Sequence, residues 1–235
     1  MPKRLNPIWA LAAGLAAFAP VARSVCQVPQ PRLVCAEFAN SPAVIIAKVS
    51  GIRRVVDKDD FIEGYFYTLT TNTRLRGRID DTFQVWEENS SGRASFGWTV
   101  GTSYLLFLTY YDGRSWTIDG CGNSGPLDRS ADTLAAIKSA QSTKTARVEG
   151  MASTGSWTTG VPAVTINATG NGKMFTAQTD QRGQFQLRLL PGHYELKAVR
   201  PAWSFDRNPF SYENPNDLNL SAGGCAQVQF TGARK

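Results

Sequence analysis

The run TDQRGQFQLRLLPGHYELKA, residues 179–198, decides the fold. Asp180 and Gly183 are turn formers, and after them Phe185 and Leu187 alternate with Gln184, Gln186 and Arg188. Period-two alternation of this kind puts the apolar residues on one face of an extended strand and the polar ones on the other. Pro191 and Gly192 make a second tight turn, and Tyr194 and Leu196 then resume the inward positions. The same grammar continues on both sides. ARVEGMA (146–152), AVTINATG (163–170), KMFTAQTD (173–180) and CAQVQFTG (225–232) are short strand candidates spaced by Gly, Pro, Asn and Asp. No helix of three turns fits after Ala146, so residues 146–235 read as a β-sandwich.

Upstream, another set of strands runs from Ala43 to Tyr111: AVIIAKVSGI, YFYTLTTNTRL, TFQVWEE and SYLLFLTYY. Tyr65, Tyr67 and Leu69 share one face of the second, and Phe66, Thr68 and Thr70 the other. A single helical signal follows, LDRSADTLAAIKSAQ, with Ser130 or Asp128 as its N-cap and Ala131, Leu134 and Ile137 on its inner face. Several strands and one helix point to a small closed barrel with the helix packed on it. The expected class is all-β, with a boundary near residue 145 and two domains, 25–145 and 146–235.

Residues 1–24 read as a secretory signal peptide. Lys3 and Arg4 precede the apolar stretch IWALAAGLAAFAP, which is too short for a typical membrane span, and cleavage is expected after Ser24. Val25 and Arg23 before Cys26 do not fit a lipoprotein signal. No later stretch is apolar enough to cross a membrane, so the expected address is secreted, either extracellular or periplasmic. Losing Lys3, Arg4 and Arg23 brings the formal charge of +6 down to +3, which calls for no nucleic-acid partner. Export permits disulfides among Cys26, Cys35, Cys121 and Cys225, and spacing leaves all three connectivities open.

Candidate chemistry is sparse. The one histidine, His193, reads as an exposed turn residue. Zinc motifs, Gly-rich phosphate loops and the G-x-S-x-G elbow are all missing. The carboxylates at Asp57/Asp59/Asp60/Glu63, Asp80/Asp81 and Glu87/Glu88 form local clusters, as solvated turns do, rather than flanking a cleft. No enzyme activity and no cofactor or metal is expected. Arg74, Arg76 and Arg78 share one face if their strand runs through them, which would make a candidate ligand face for a carbohydrate or polyanion. A solvated edge explains the same pattern. Trp86, Trp98, Trp116, Trp157 and Trp203 could line a binding surface; Trp98 is expected in the core, whereas Trp157 and Trp203 lie in loop-like contexts.

Two resemblances sharpen these expectations. V-E-G at 148–150, G-V-P-A-V-T-I at 160–166, T-D-Q-R-G-Q-F-Q-L at 179–187 and L-P-G-H-Y-E-L-K-A at 190–198 together resemble the carboxypeptidase regulatory-like (transthyretin-like) domain. That likeness implies a structural or adhesive module. Four stretches of the first half are similar to the netrin-like domain, the OB-fold of the tissue inhibitors of metalloproteinases. They are C-Q-V-P at 26–29, F-A-N-S-P-A-V-I-I-A-K-V at 38–49, W-T-V-G-T-S-Y-L-L-F at 98–107 and I-D-G-C-G-N-S-G-P-L at 118–127. The family's opening Cys-x-Cys is reduced to Cys26, with Ser24 at the first position and its partner near Ala94 also gone. Mapped this way, the resemblance implies Cys26–Cys121 and leaves Cys35 with Cys225, a bridge between the two domains. It also implies a non-catalytic module binding an extracellular protein or cell-surface component. The alternatives are a metalloprotease inhibitor acting through an N-terminal cysteine and a sugar- or polyanion-binding module.

Overall fold

The computed structural model describes residues 31–89, 95–113, 115–155 and 159–235. A short helix, α1 (Val34–Asn40), precedes five strands: β1 (Ala43–Val56), β2 (Ile62–Arg76), β3 (Thr82–Glu88), β4 (Ser103–Tyr111) and β5 (Ser115–Ile118). A two-residue strand β6 (Gly125–Pro126) and a 3₁₀ turn (Leu127–Arg129) lead into α2 (Ala131–Ser142). Eight further strands complete the chain: β7 (Ala146–Ser153), β8 (Thr165–Gly170), β9 (Lys173–Gln178), β10 (Gln184–Leu189), β11 (Gly192–Val199), β12 (Trp203–Arg207), β13 (Leu218–Leu220) and β14 (Cys225–Arg234). The protein is all-β in class, an OB-like barrel followed by a sandwich.

The barrel is made by the length and curvature of β1. Of its 14 residues, Val44 to Val56 run antiparallel along β2, while Ala43–Lys48 pair with β4. Four register shifts along the β1–β2 ladder bend the strand, as bulges do, so that one strand serves two neighbours. β5 lies between β4 and β3, meeting β3 in parallel at Val85 and Trp116, and the ring β1-β2-β3-β5-β4 closes on β1. Inside sit Ile45, Val49, Leu69, Val85, Leu106 and Leu108 with the aromatic group Tyr67, Trp98 and Tyr104. The alternate residues of β1 and β4 are apolar too, which is why AVII and YLLFL read as unbroken runs. Val44, Leu105 and Phe107 face outward and are covered by Phe38 of α1 and Ile137 of α2.

The sequence reading of the helices needs correction at two points. α1 was not expected at all, and in α2 only Ile137 is fully buried, with Leu134 half-buried and Ala131 exposed. Ser130 stands at the N-cap position, yet its hydroxyl donates backward to the Pro126 carbonyl and does not cap the helix.

In the sandwich, one sheet has the order β10-β7-β14-β12 and the other β13-β11-β8-β9. β7 and β14 run parallel, and the other neighbours are antiparallel. The opening alternation lands as read: Phe185, Leu187, Tyr194 and Leu196 are all in the core. The Asp180 carboxylate accepts the N–H groups of Arg182 and Gln184, and Gly183 takes φ +75°, which closes the β9–β10 turn.

Gly77 ends β2 at φ +75°, with its Cα packed against the Pro42 carbonyl where β1 begins. Gly77→Ala should therefore lower the unfolding free energy by at least about 1–2 kcal/mol, the cost of a left-handed L-residue before any clash. Urea unfolding of the variant against the parent chain checks this.

Candidate interaction site

Alternation along β2 sends Tyr67 and Leu69 into the barrel and Phe66 outward. Across the ladder Phe66 sits opposite Trp86 of β3 and Arg53 of β1. The two rings meet at 4.9 Å between centroids, and the Arg53 guanidinium lies 4.8 Å over the Phe66 ring. Gly64 makes the arrangement possible, because a side chain there would run into the six-membered ring of Trp86. The indole therefore lies against the strand surface beside Phe66. Next to this layered patch, the β1–β2 hairpin carries Ile52, Val56 and Phe61 into solvent, the last 72% exposed. Two half-buried aromatic rings tilted against each other on an outer sheet face, with an exposed arginine over one of them, are the side-chain chemistry of interaction surfaces.

The three-arginine face does not form as a single row. β2 ends at Arg76, and the positive φ of Gly77 turns the chain before Arg78. Arg74 donates to the Ile79 carbonyl and pairs with Asp81 at 2.5 Å, while Arg76 donates to the Ser41 carbonyl and lies over Phe38. Two of the three guanidiniums thus brace the start of β1 and the β2–β3 turn, because strand-end carbonyls sit within their reach.

A second cluster joins barrel and sandwich. Cys35 on α1 is bonded to Cys225 on β14 with Sγ–Sγ 2.05 Å, so the expected bridge over 190 residues is present. Cys121 is also disulfide-bonded, and Cys26 lies outside the described residues. Beside the bridge, the buried Gln227 side chain accepts from the Leu33 N–H at 3.0 Å and donates to the Pro31 carbonyl at 2.9 Å. The Glu37 carboxylate, 1% exposed, accepts the backbone and side-chain N–H groups of Asn123, each at 2.7 Å. Glu213 accepts the Gln227 N–H at 2.6 Å and the Asn40 amide at 2.8 Å. Arg32 pairs with Asp119 at 3.1 Å and stacks on Tyr212. Burial pushes both glutamate carboxyls above the usual carboxylate range, against the opposing pull of these N–H donors and of Arg32. Sequence reasoning singled out neither glutamate, since nothing local distinguishes them from solvated acids.

The remaining candidates take ordinary places. His193 is exposed and contacts Asp217 at 2.8 Å. Asp57 shapes the hairpin tip by accepting the N–H groups of Asp59 and Phe61. Trp98 is buried against Tyr67, Trp116 stacks on Tyr110, and Trp203 stacks on Phe205 between Arg200 and Arg234. Trp157 lies outside the described residues. Among the described residues no group of three or more His, Cys, Asp or Glu is placed to hold a metal ion. No described helix is long and apolar enough to cross a membrane.

Residues 147–222 match the family model of the second β-sandwich domain of NOMO1-like BOS complex subunits. That match covers most of the sandwich and none of the barrel, and it supports the sandwich architecture. No curated protein matches the chain in sequence. Among solved structures, the TIE protein of Bacillus anthracis is similar with TM-score 0.32 and 8% identity over 83% of this chain; the chain spans only 35% of that protein's length. The major pilin protein of Streptococcus pyogenes is similar with TM-score 0.16 and 8% identity, covering 82% of this chain and 90% of the pilin. Likenesses this distant say nothing about function.

The raised carboxyls set a pH dependence. At pH values above the ordinary carboxylate range the folded chain binds more protons at Glu37 and Glu213 than the unfolded one does, so these two groups make stability rise as pH falls toward that range. Relative to a Glu37→Gln/Glu213→Gln variant, the parent chain should gain in Tm between a neutral and a mildly acidic pH. Calorimetry at both pH values checks it, and a parallel response of the two chains would refute it.

Proposed function

We propose that this is a secreted, non-catalytic interaction protein that binds another extracellular protein or a cell-surface component through the outward β1–β3 face. One observation carries the reading: Arg53, Phe66 and Trp86 are layered on a solvent-facing sheet surface, over a glycine that lets the indole lie there. A fold needing only stability has little use for this, because outward positions of a barrel are ordinarily polar. On this reading residues 1–24 are a cleaved signal peptide, 25–145 a netrin-like domain and 146–235 a carboxypeptidase regulatory-like domain. Support for the netrin-like assignment comes from the ring order of the barrel and from the Cys121 corner leading through Pro126 into α2. The proposed Cys26–Cys121 bridge would fasten the chain's N-terminal segment to that corner.

A saccharide reading draws on the same face, since an indole presented flat can stack on a sugar ring. The metalloprotease-inhibitor reading requires Cys26 to be the first residue of the mature chain. N-terminal sequencing of the exported protein that returns Val25 would remove it.

Capture from the host's extracellular fraction, compared between the parent chain and Trp86→Ala, tests the face. An anchor of this kind carries about 2 kcal/mol or more, so capture should fall roughly thirtyfold in the variant while the circular-dichroism spectrum is unchanged. Equal capture by both chains would move the binding surface elsewhere.

A further inference from the structure

Between α1, α2 and the first sheet of the sandwich lies a crevice of about 550 Å³, floored by the Cys35–Cys225 bridge and lined by Leu33, Ser139, Thr143, Thr145, Arg147 and Arg188. Register places Arg188 of β10 directly opposite Arg147 of β7. Like charges so placed repel, and such a pair is ordinarily avoided. The counter-charge at hand is Glu149, whose Oε1 is shared between Arg147 Nε at 2.9 Å and the Gln186 amide at 2.9 Å. The carbonyls ending α2 do not serve either, since those of Ser139 and Ala140 accept the hydroxyls of Ser142 and Thr143 and the Thr143 N–H. Among the described residues, Glu149 is the one carboxylate paired with Arg147, and no ion pair is made by Arg188.

The strand that brings Arg188 there is itself a sheet edge. β10 is terminal in the order β10-β7-β14-β12, and its burial alternates without a break, with Gln184, Gln186 and Arg188 outward. Among the described residues, no backbone hydrogen bond of Phe185–Leu189 is made on the side away from β7. The Asp180 turn leads to β9 of the other sheet, which lies close to β10, and the crevice is reached at the opposite, Arg188 end of the strand. A peptide added to such an edge gains main-chain hydrogen bonds, while its alternate side chains fall on the face of Gln184, Gln186 and Arg188.

We infer that the crevice end of β10 is a docking site for an extended acidic segment of a partner protein, which pairs with β10 as an added strand and places a carboxylate between Arg188 and Arg147. The site is distinct from the β1–β3 face, so each can fail without the other.

The probe is a fluorescein-labelled octapeptide alternating Glu and Thr, with a Gln/Thr peptide as its neutral control, titrated by anisotropy into the full chain at low salt. The acidic peptide should bind at least about tenfold more tightly than the control, weaken as salt is raised, and weaken about tenfold or more in R188Q. Arg188 is exposed and outside the core, so R188Q should melt with the parent, and K58Q at the hairpin tip should bind as the parent does. Hydrogen exchange should slow at residues 184–189 when the peptide is bound. Equal affinity for the two peptides, absence of binding by both, or acidic-peptide binding untouched by R188Q would overturn the inference. Binding without protection of β10 would overturn its strand-addition part.

Discussion

Ten residues, Pro31 to Asn40, hold the molecule together. Both units fill their own cores, and this segment is fastened to each of them, beside the contact of the end of α2 with Gly223. Toward the sandwich it has the Cys35–Cys225 bond, the paired hydrogen bonds of Gln227 to Pro31 and Leu33, and the Asn40–Glu213 contact. Toward the barrel it has Glu37 on Asn123 and Arg32 on Asp119, with Phe38 in the hydrophobic layer over β1 and β4. A crosslink spanning 190 residues restricts the unfolded chain strongly and contributes about 2–5 kcal/mol by that route. The hydrogen bonds add little by comparison, but they are directional, and so they set where the bridge holds the two units.

The apolar layer under the helices follows from the same arrangement. An ordinary barrel strand is polar outside, and β1 and β4 could not carry Val44, Leu105 and Phe107 outward without a cover. α1 and α2 supply it. The aromatic patch at β2 and β3 lies on a different stretch of the wall, with no helix over it, and the two stretches differ by what the sequence puts beside them. Gly64 and Arg53 accompany the half-buried Phe66 and Trp86, whereas Phe38 and Ile137 of the helices accompany the covered residues.

How much of this the sequence discloses depends on the range of the interaction. Phe185, Leu187, Tyr194 and Leu196 were legible because a strand's alternation is local, and the Asp180 turn because its carboxylate bonds only to its neighbours. α1 was not legible: VCAEFAN is seven residues, has no capping side chain, and is helical because Phe38 and Cys35 have partners far along the chain. The end of the arginine row was not legible for the complementary reason. Period-two spacing continues through Arg78 on paper, while the Pro42 carbonyl and the φ of Gly77 stop the strand at Arg76. Glu37, Glu213 and the Arg147–Arg188 opposition depend on register and packing between distant segments, and no spacing rule reaches those.

The charges at the junction show what kind of constraint it is. Glu37 is buried and Glu213 half-buried, and the partners of both are N–H groups of Asn123, Gln227 and Asn40. Removing a carboxylate from water costs more than such contacts return when the group is held ionised, which is why burial dominates both shifts. Apolar residues of similar size would give a more stable seam. What the glutamates add is direction: Glu37 on α1 accepts from the Asn123 corner, while Glu213, held to β14 by the Gln227 N–H, accepts from Asn40 at the end of α1, so the helix is tied to both units by oriented donors. These directed contacts, with the Cys35–Cys225 bond, join the barrel to the sandwich at α1, and the crevice beside Cys35 is built from parts of both.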